Sequence, residues 1–211
     1  MTLRKSVVLG LVMAVGVSCL AQTTTKKDGK AAKTEEKKAA QPPMPKPSPE
    51  IVRAEKSLGG TWKLTGKILD EQWAPGGATG TGTETVRKGP GGFSIISDSR
   101  MNWTKLGPMQ GHGVLSWDDQ KKAFMGLWCD NWAPKCESMG EGKWEGANLV
   151  FTGDMDMGPA KVPTRMTYSN ITANSYDWKM ESGDGKGNWK PEMTLKYEKA
   201  SAAPATTAEK K

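Results

Sequence analysis

The sequence predicts an all-β fold, namely a single antiparallel up-and-down β-barrel of about ten strands with one short helix before the first strand. Apolar and polar side chains alternate with a period of two along most of residues 60–198, a pattern typical of strands with one buried and one solvated face. Turn-forming Gly, Asp and Asn residues recur at short intervals between these runs, so neighbouring strands should be antiparallel. Consecutive hairpins favour a barrel over a sandwich, because closure removes exposed strand edges.

The helix is predicted immediately before the first strand. Ser48 can accept a hydrogen bond at the N-cap, Pro49 suits the first helical position, and Gly59 ends the helix. The residues on its apolar side are Ile51, Ala54 and Leu58. We therefore expect one face of this helix to be buried.

The strands follow from Gly60 onward. In the first of them, Trp62, Leu64 and Ile68 alternate with lysines and a threonine. The other strands are predicted at Thr79–Lys88, Gly92–Trp103, Gly111–Trp117, Lys122–Cys129, Cys136–Trp144, Leu149–Met157, Arg165–Thr172, Ser175–Ser182 and Lys190–Glu198. Residues 50–198 thus form one predicted barrel domain of about 150 residues, which is large enough to bury a core.

The net charge of +7 is distributed unevenly along the chain. Residues 50–198 carry 18 Lys and Arg against 19 Asp and Glu, a net charge of −1, whereas residues 1–49 contribute +6 and residues 199–211 contribute +2. A groove for nucleic acid needs basic residues clustered on the folded surface. We therefore expect no nucleic-acid partner.

Residues 1–21 have the features of a secretory signal peptide. Arg4 and Lys5 form a positively charged start, an apolar run extends from Val7 to Val17, and small residues precede a cleavage point after Ala21. The apolar run is too short to span a membrane. As an alternative, Cys19 could be lipidated and anchor an outer-membrane lipoprotein. Both hypotheses predict export, to the periplasm or out of the cell.

Two segments beside the barrel domain are predicted to be disordered. Residues 22–49 consist mainly of Lys, Ala, Thr, Gln and Pro, and residues 199–211 have a similar composition. Such segments cannot offset the entropy of ordering by burying apolar surface. We expect an extended linker and a solvated tail, with the lysines able to rest on anionic surfaces.

Cys129 and Cys136 enclose a turn-rich segment between two predicted strands. In an exported protein such a pair is expected to form a disulfide, which would stabilise the fold by roughly 2.5 kcal/mol on the chain-entropy model. A metal site would need further thiol or imidazole ligands, and the spacing is not the Cys-x-x-Cys of redox proteins. A structural disulfide is therefore predicted.

Aromatic residues are concentrated in the predicted barrel, which contains all nine tryptophans. Most of them fall on the side of their strands that should face inward. The candidate ligand-binding residues are Trp62, Trp103, Trp117, Trp128, Tyr168 and Trp178. These rings could line a cavity for one small apolar or aromatic ligand, or they could simply fill the interior.

The predicted barrel also carries short glycine-containing motifs in a fixed order. They are Leu58-Gly59-Gly60-Thr61-Trp62, Gly91-Gly92-Phe93, Gly111-His112-Gly113-Val114-Leu115-Ser116-Trp117-Asp118, Gly140-x-Gly142-x-Trp144-x-Gly146, and Asp184-Gly185-Lys186 before Lys196-Tyr197. In this order they resemble the bacterial domain-of-unknown-function 1579 family, which is placed among the calycin-like (lipocalin-like) barrels. The resemblance covers about residues 50–198 and implies a closed antiparallel barrel with room for an internal pocket, without an established activity.

Two related groups differ from this chain at their functional positions. Lipocalins usually place an arginine of the last strand over the tryptophan of the first, whereas the late strand here offers Lys196 or Lys199. Nitrobindin-like barrels bind haem through a histidine near the end of the chain, whereas the only histidine here is His112 in a middle strand. The resemblance therefore supplies no functional residue that can be transferred.

Residues with catalytic or metal-binding chemistry are few. His112 could serve as a haem ligand or general base. It lies an odd number of residues before Leu115 and Trp117, however, so on a strand it should point to the opposite face, toward solvent. The carboxylates of Asp118 and Asp184 lie in predicted turns and lack the ligand spacing of a calcium loop. The sequence predicts no catalytic residue, metal site or cofactor.

Three functional hypotheses remain. The first is an exported, non-enzymatic barrel that binds a small apolar ligand among its tryptophans. The second is an envelope-associated structural or interaction protein with a filled barrel. The third is a haem-dependent enzyme that uses His112. Contact with a membrane is expected only through a lipid anchor, and no pattern indicates an oligomeric state.

Overall fold

The computed structural model describes residues 44–157 and 160–200. The predicted signal peptide, most of the predicted linker and nearly all of the predicted tail lie outside these residues. The described part contains one α-helix, α1 at Pro49–Leu58, a short 3₁₀ turn at Pro90–Gly92, and ten β-strands. None of its helices is long and apolar enough to cross a membrane.

The ten strands form one closed antiparallel barrel in which each strand pairs with its neighbours in sequence and the last pairs with the first. In chain order they are β1 Gly60–Ile68, β2 Ala78–Lys88, β3 Ser94–Trp103, β4 Gly107–Asp118, β5 Ala123–Asp130, β6 Glu137–Glu145, β7 Asn148–Met157, β8 Ala160–Ser169, β9 Ser175–Gly183 and β10 Trp189–Lys199. The predicted fold class is confirmed.

The helix begins and ends as the sequence predicts. The Ser48 hydroxyl accepts a hydrogen bond from the Ile51 amide at 3.2 Å, and Gly59 follows the last helical residue. Gly60 has a φ of 131°, a conformation that favours glycine and turns the chain from the helix into β1. The glycine pair therefore allows α1 to be followed directly by the first strand.

Helix α1 covers the end of the barrel at which β1 begins. Its apolar side is buried, and the Leu58 carbonyl accepts a hydrogen bond from Trp62 Nε1 at 2.8 Å. Lys199 Nζ lies 4.2 Å from the centre of the Trp62 ring and donates to the Gly59 carbonyl at 2.7 Å. Of the two late lysines, Lys199 thus occupies the place that an arginine takes in lipocalins. These contacts close one end of the barrel.

Most predicted strand bounds are within two residues of the observed ones, but two strands differ by more. Strand β4 begins at Gly107 rather than Gly111, and β8 spans Ala160–Ser169 rather than Arg165–Thr172. Both strands contain a proline, which cannot donate a ladder hydrogen bond and therefore argues against a strand in the sequence alone. Pro163 nevertheless pairs with Asp154, and Asn170, with a φ of 52°, ends β8.

Candidate functional site in the barrel interior

The six aromatic residues predicted to bind a ligand all lie on the inward side of their strands, but the structure does not bring them into one cluster. Trp62 and Trp117 lie toward the end covered by α1, where Trp117 packs edge-on against Phe124 with ring centres 5.1 Å apart. Tyr168 and Trp178 are directly opposite each other on β8 and β9. The other two, Trp103 and Trp128, fill space beside β1, β2 and β4.

Two of these tryptophans occupy room left by inward-facing glycines. A Cβ atom added to Gly80 would lie 2.6 Å from the Trp103 ring, and one added to Gly111 would lie 2.1 Å from the Trp128 ring. Both distances are far shorter than a van der Waals contact, so the rings need glycine at these positions. At these two positions the aromatic side chains therefore fill the interior.

Partly exposed inward side chains occur on both sides of the interior, and Trp128 on β5 is one of them. Tyr168, Trp178, Met193 and Leu195 point inward from β8, β9 and β10, yet all four remain partly exposed. Trp178 and Leu195 are paired near the middle of their strands, away from the barrel ends. An inward side chain at this depth can be exposed only to space within the barrel. The wall of β8 to β10 is therefore one part of the interior at which a ligand could be held.

A buried polar cluster lies in the same interior. The Glu84 carboxylate accepts a hydrogen bond from the Tyr197 hydroxyl at 3.1 Å, and Tyr176 stacks on Tyr197 with ring centres 4.1 Å apart. Burial raises the pKa of Glu84 to about 7, although hydrogen bonds from the hydroxyls of Tyr197 and Ser99 oppose the shift. Burial likewise raises the pKa of Tyr176 and Tyr197 well above the ordinary value.

Sequence analysis missed this cluster, although one signal could have revealed it. The threonines of β2 occupy its outward positions, so the alternation places Glu84 on the inward side with Val86. A carboxyl group at an inward position of a barrel either titrates abnormally or has a partner. Its partner, Tyr197, is 113 residues away in the chain, and only the closed topology brings the two together.

A second pair of buried carboxyl groups ties the β1–β2 loop to β10. Asp70 accepts a hydrogen bond from the Gln72 amide at 2.6 Å, and the Ser182 hydroxyl donates to Glu192. Hydrogen bonding from Glu192 lowers the pKa of Asp70, whereas burial raises the pKa of Glu192. Lys190 Nζ lies 3.6 Å from Asp70 and 3.4 Å from Glu192, so one ammonium group faces both carboxyl groups. This arrangement holds the loop in place.

His112 lies on the outer face of the barrel, as its parity predicts. Its Nδ1 atom is 2.7 Å from Asp98 Oδ1, and its side chain is about half exposed. The imidazole cannot reach a haem enclosed by the barrel, so the geometry gives no support to the haem hypothesis. The described residues contain no group of three or more His, Cys, Asp or Glu arranged to hold a metal ion.

The carboxylates in the predicted turns have structural partners. Asp118 Oδ1 accepts hydrogen bonds from the Gln120 and Lys121 amides at 2.8 and 3.0 Å. Asp184 accepts in the same way from the Lys186 and Asn188 amides. Because these oxygens are engaged by the backbone of their own turns, both residues stabilise hairpin connections.

The predicted disulfide is present between Cys129 and Cys136. It encloses a turn in which Asp130 Oδ1 accepts from the amides of Trp132 and Ala133. The exposed Trp132 ring lies 6.2 Å from Trp103, measured between ring centres. The disulfide loop thus places an aromatic side chain next to the interior.

The closed antiparallel barrel, with a helix over one end and aromatic rings in its interior, defines the protein as a calycin-like barrel. The chain belongs to the family described as protein of unknown function (DUF1579), whose profile matches residues 55–199. A search of the curated proteins found no significant match.

Three solved structures have similar folds. Rv2717c from M. tuberculosis is 9% identical, with a TM-score of 0.50 over 74% of this chain and 99% of its own. A de novo designed fluorescence-activating β-barrel is 11% identical, with a TM-score of 0.39 over 70% of this chain and 97% of its own. The redesigned barrel mFAP0, bound to DFHBI, is 11% identical, with a TM-score of 0.36 over 67% of this chain and 98% of its own. At 9% identity the likeness to Rv2717c concerns the fold alone.

Proposed function

We propose that the protein is exported and binds a small, largely apolar ligand inside its barrel. The observation that carries the proposal is the partial exposure of the inward-facing Trp178, Met193 and Leu195. These side chains would regain buried contacts if an apolar molecule occupied the space beside them, and burial of apolar surface is favourable by about 25 cal/mol per Å².

The polar cluster limits the chemistry of such a ligand. Below about pH 7 Glu84 is a neutral acid with a proton to donate, and above that pH it is a buried carboxylate. An anionic group near Glu84 would be repelled in the second state. A neutral ligand with one polar atom therefore fits this interior better than an acid does.

Export is supported by the signal-peptide features of the first residues and by the disulfide. Disulfides persist mainly in oxidising compartments such as the periplasm and the extracellular space. The bond between Cys129 and Cys136 is the kind of feature that such a location preserves. Cleavage after Ala21 and lipidation of Cys19 are the two routes consistent with this proposal.

A second candidate function is an envelope-associated interaction protein whose barrel holds no ligand. The packing of Trp103 against Gly80 and of Trp128 against Gly111 favours it, because at these positions rings already fill the interior. If the other rings close the remaining space in solution, the outer surface would be the functional one.

The two candidates can be separated with a neutral naphthylamine dye that fluoresces in apolar surroundings. We compare the wild-type protein with Leu195→Trp, which fills the interior beside Gly66, and with Leu127→Trp, the same change at a side chain 45% exposed on the outer face. Interior binding predicts that Leu195→Trp weakens the dye affinity at least about tenfold, whereas Leu127→Trp leaves it unchanged.

Thermal unfolding of each variant shows whether it is folded, since overpacking costs about 1–3 kcal/mol. Equal dye affinity in both variants would place the dye on the outer surface. A wild-type protein that binds none of the dye, and none of a panel of lipids and aromatic compounds, would favour the interaction protein.

A further inference from the structure

The disulfide has an unusual neighbour on the outer face of the barrel. Asp98 on β3 is directly opposite His112 on β4, and His112 is directly opposite Cys129 on β5. The three side chains point outward in one row across three strands. Directly opposite residues of an antiparallel pair have Cβ atoms about 4.5–5.5 Å apart.

The row lies in an open groove of about 780 Å³ on the outer face of β2 to β5. Its floor and rim include Thr85, Asp98, His112 and Cys129. A volume of this size suits a molecule as large as an amino acid or a short peptide. The groove thus gives a small solute access to one sulfur of the disulfide.

Hydrogen bonds fix the orientation of the histidine. His112 Nδ1 is 2.7 Å from Asp98 Oδ1, and Arg87 holds the other oxygen of the same carboxylate at 3.3 Å. With Nδ1 engaged, Nε2 is the ring nitrogen that can serve a further partner. A thiolate at Cys129 could accept a hydrogen bond from this nitrogen, as in Cys-His pairs in which a histidine stabilises a thiolate.

We propose that Cys129–Cys136 is an exchangeable disulfide that oxidises a low-molecular-weight thiol, with His112, in the groove beside Cys129, as the positioning residue that stabilises the Cys129 thiolate. Cys136 is the more exposed sulfur and Cys129 is only partly exposed. Because Cys136 is the more accessible sulfur, we assign it as the atom that the thiolate attacks, and Cys129 as the sulfur that leaves as a thiolate.

The chemistry balances with two equivalents of the thiol. A first thiolate attacks Cys136 Sγ, a bond forms between the two sulfurs, and the Cys129–Cys136 bond breaks with its electron pair on Cys129. A second thiolate attacks the sulfur of the first thiol in the mixed disulfide and releases Cys136 as a thiolate. Two thiols are oxidised to one disulfide, and the protein disulfide is reduced to two thiols that take up the two protons.

Other charged side chains around the two cysteines contribute to the electrostatic potential at the sulfur atoms. Arg87 and Arg100 lie on the outer face beside Asp98, and Asp130 follows Cys129 in the chain. Lys135 precedes Cys136, but its amino group is engaged by Asp156 and lies 3.7 Å from Glu137. Removal of the His112 imidazole should therefore change the reactivity of the Cys129 thiolate without changing that of Cys136.

The first experiment measures how fast iodoacetamide alkylates each cysteine as a function of pH. Single-thiol proteins carry Cys19→Ser together with either Cys136→Ser, which leaves Cys129, or Cys129→Ser, which leaves Cys136. We expect His112→Gln to raise the pH midpoint of Cys129 alkylation by about one unit and to leave that of Cys136 unchanged. Near pH 6 the Cys129 rate should fall about threefold, because a tenfold lower thiolate fraction is offset by about threefold higher nucleophilicity.

The second experiment keeps the disulfide intact, so it does not depend on the folding of the single-thiol proteins. We follow the reduction of Cys19→Ser protein by reduced glutathione near pH 7. Slower reduction is expected for His112→Gln and for Asp98→Asn, because a more basic leaving thiolate departs more slowly. Ser116→Ala, on the same outer face of β4 but outside the groove, is the matched control and should react at the wild-type rate. Reduction of His112→Gln at the wild-type rate, or equal shifts of both cysteines in the first experiment, would show that the disulfide is only structural.

Discussion

Replacing Glu84 with glutamine is expected to stabilise the protein at neutral and alkaline pH and to have little effect in acid. In the folded protein the pKa of Glu84 is raised from 4.5 to about 7 because the carboxyl group is buried. The unfolded chain therefore loses the proton near pH 4.5, whereas the folded protein keeps it until about pH 7. Between these values the folded state binds more protons, so stability falls as the pH rises.

The size of this change in folding free energy follows from the shift in the pKa of Glu84. Each unit of pKa difference corresponds to 1.36 kcal/mol, so ionisation of Glu84 should cost about 3 kcal/mol of folding free energy by the time the pH exceeds about 7. Glutamine has nearly the same shape and keeps a carbonyl oxygen that can accept from Tyr197. It cannot ionise, so this cost is absent in Glu84→Gln.

The assay is denaturant unfolding, followed by tryptophan fluorescence, of the wild-type and Glu84→Gln proteins from about pH 4 to about pH 8. The difference between the two free energies of unfolding removes the contribution of every other titrating group. It should lie within about 1 kcal/mol of zero in acid and approach about 3 kcal/mol in favour of glutamine above pH 7. A difference that stays constant over this range would show that Glu84 does not hold its proton in the folded barrel.

Glu198→Gln is a matched control on the outer face. Its carboxylate is 59% exposed and lies 2.8 Å from Lys196 Nζ, and the hydrogen bond from Lys196 lowers its pKa. Any stabilisation by the Glu198 carboxylate is present at pH values above its pKa in the unfolded chain. It is lost as the pH falls through its lower pKa in the folded protein. The control should therefore retain the wild-type loss of stability between pH 4.5 and about 7.

Three further predictions concern the framework of the barrel. Replacing both Cys129 and Cys136 with serine should lower the free energy of unfolding by roughly 2.5 kcal/mol, and a reducing agent should then have no further effect on the denaturation midpoint. Gly80→Ala should cost about 1–3 kcal/mol because its Cβ would lie 2.6 Å from Trp103, and adding Trp103→Leu should recover part of this loss in a double-mutant cycle. Lys199→Met should cost about 1 kcal/mol by removing the cation over the first-strand tryptophan, whereas Lys199→Arg should melt close to the wild-type temperature.

The barrel could be predicted because its main signals are local. The alternation around Trp62 and Leu64 assigns the two faces of β1 without knowledge of any other strand. Each hairpin turn then determines the partner of the strand that follows, and the glycine pair before β1 marks the end of the helix. The errors arose at Pro108 and Pro163, where pairing in the sheet outweighs the poor strand propensity of proline.

The candidate sites were harder to predict because they depend on register between distant segments. Glu84 meets Tyr197 only after β10 has closed onto β1, and Asp70 meets Glu192 through the same closure. The position of His112 opposite Cys129 requires the exact number of residues in the β4–β5 turn. A sequence shows which residues face inward or outward, but not which of them stand side by side.

The tripeptide Gly111-His112-Gly113 links the packing of the barrel interior to the groove on its outer face. Its glycines face inward, and a Cβ on either would lie within 3.1 Å of the Trp128 ring, so they let that ring lie against β4. Its histidine faces outward between Asp98 and Cys129. Because β4 and β5 are in register along this stretch, the packing that fills the interior also sets the spacing of His112 from the disulfide. The packing of Trp128 against β4 therefore supports the outer groove from the inner side of the same strands.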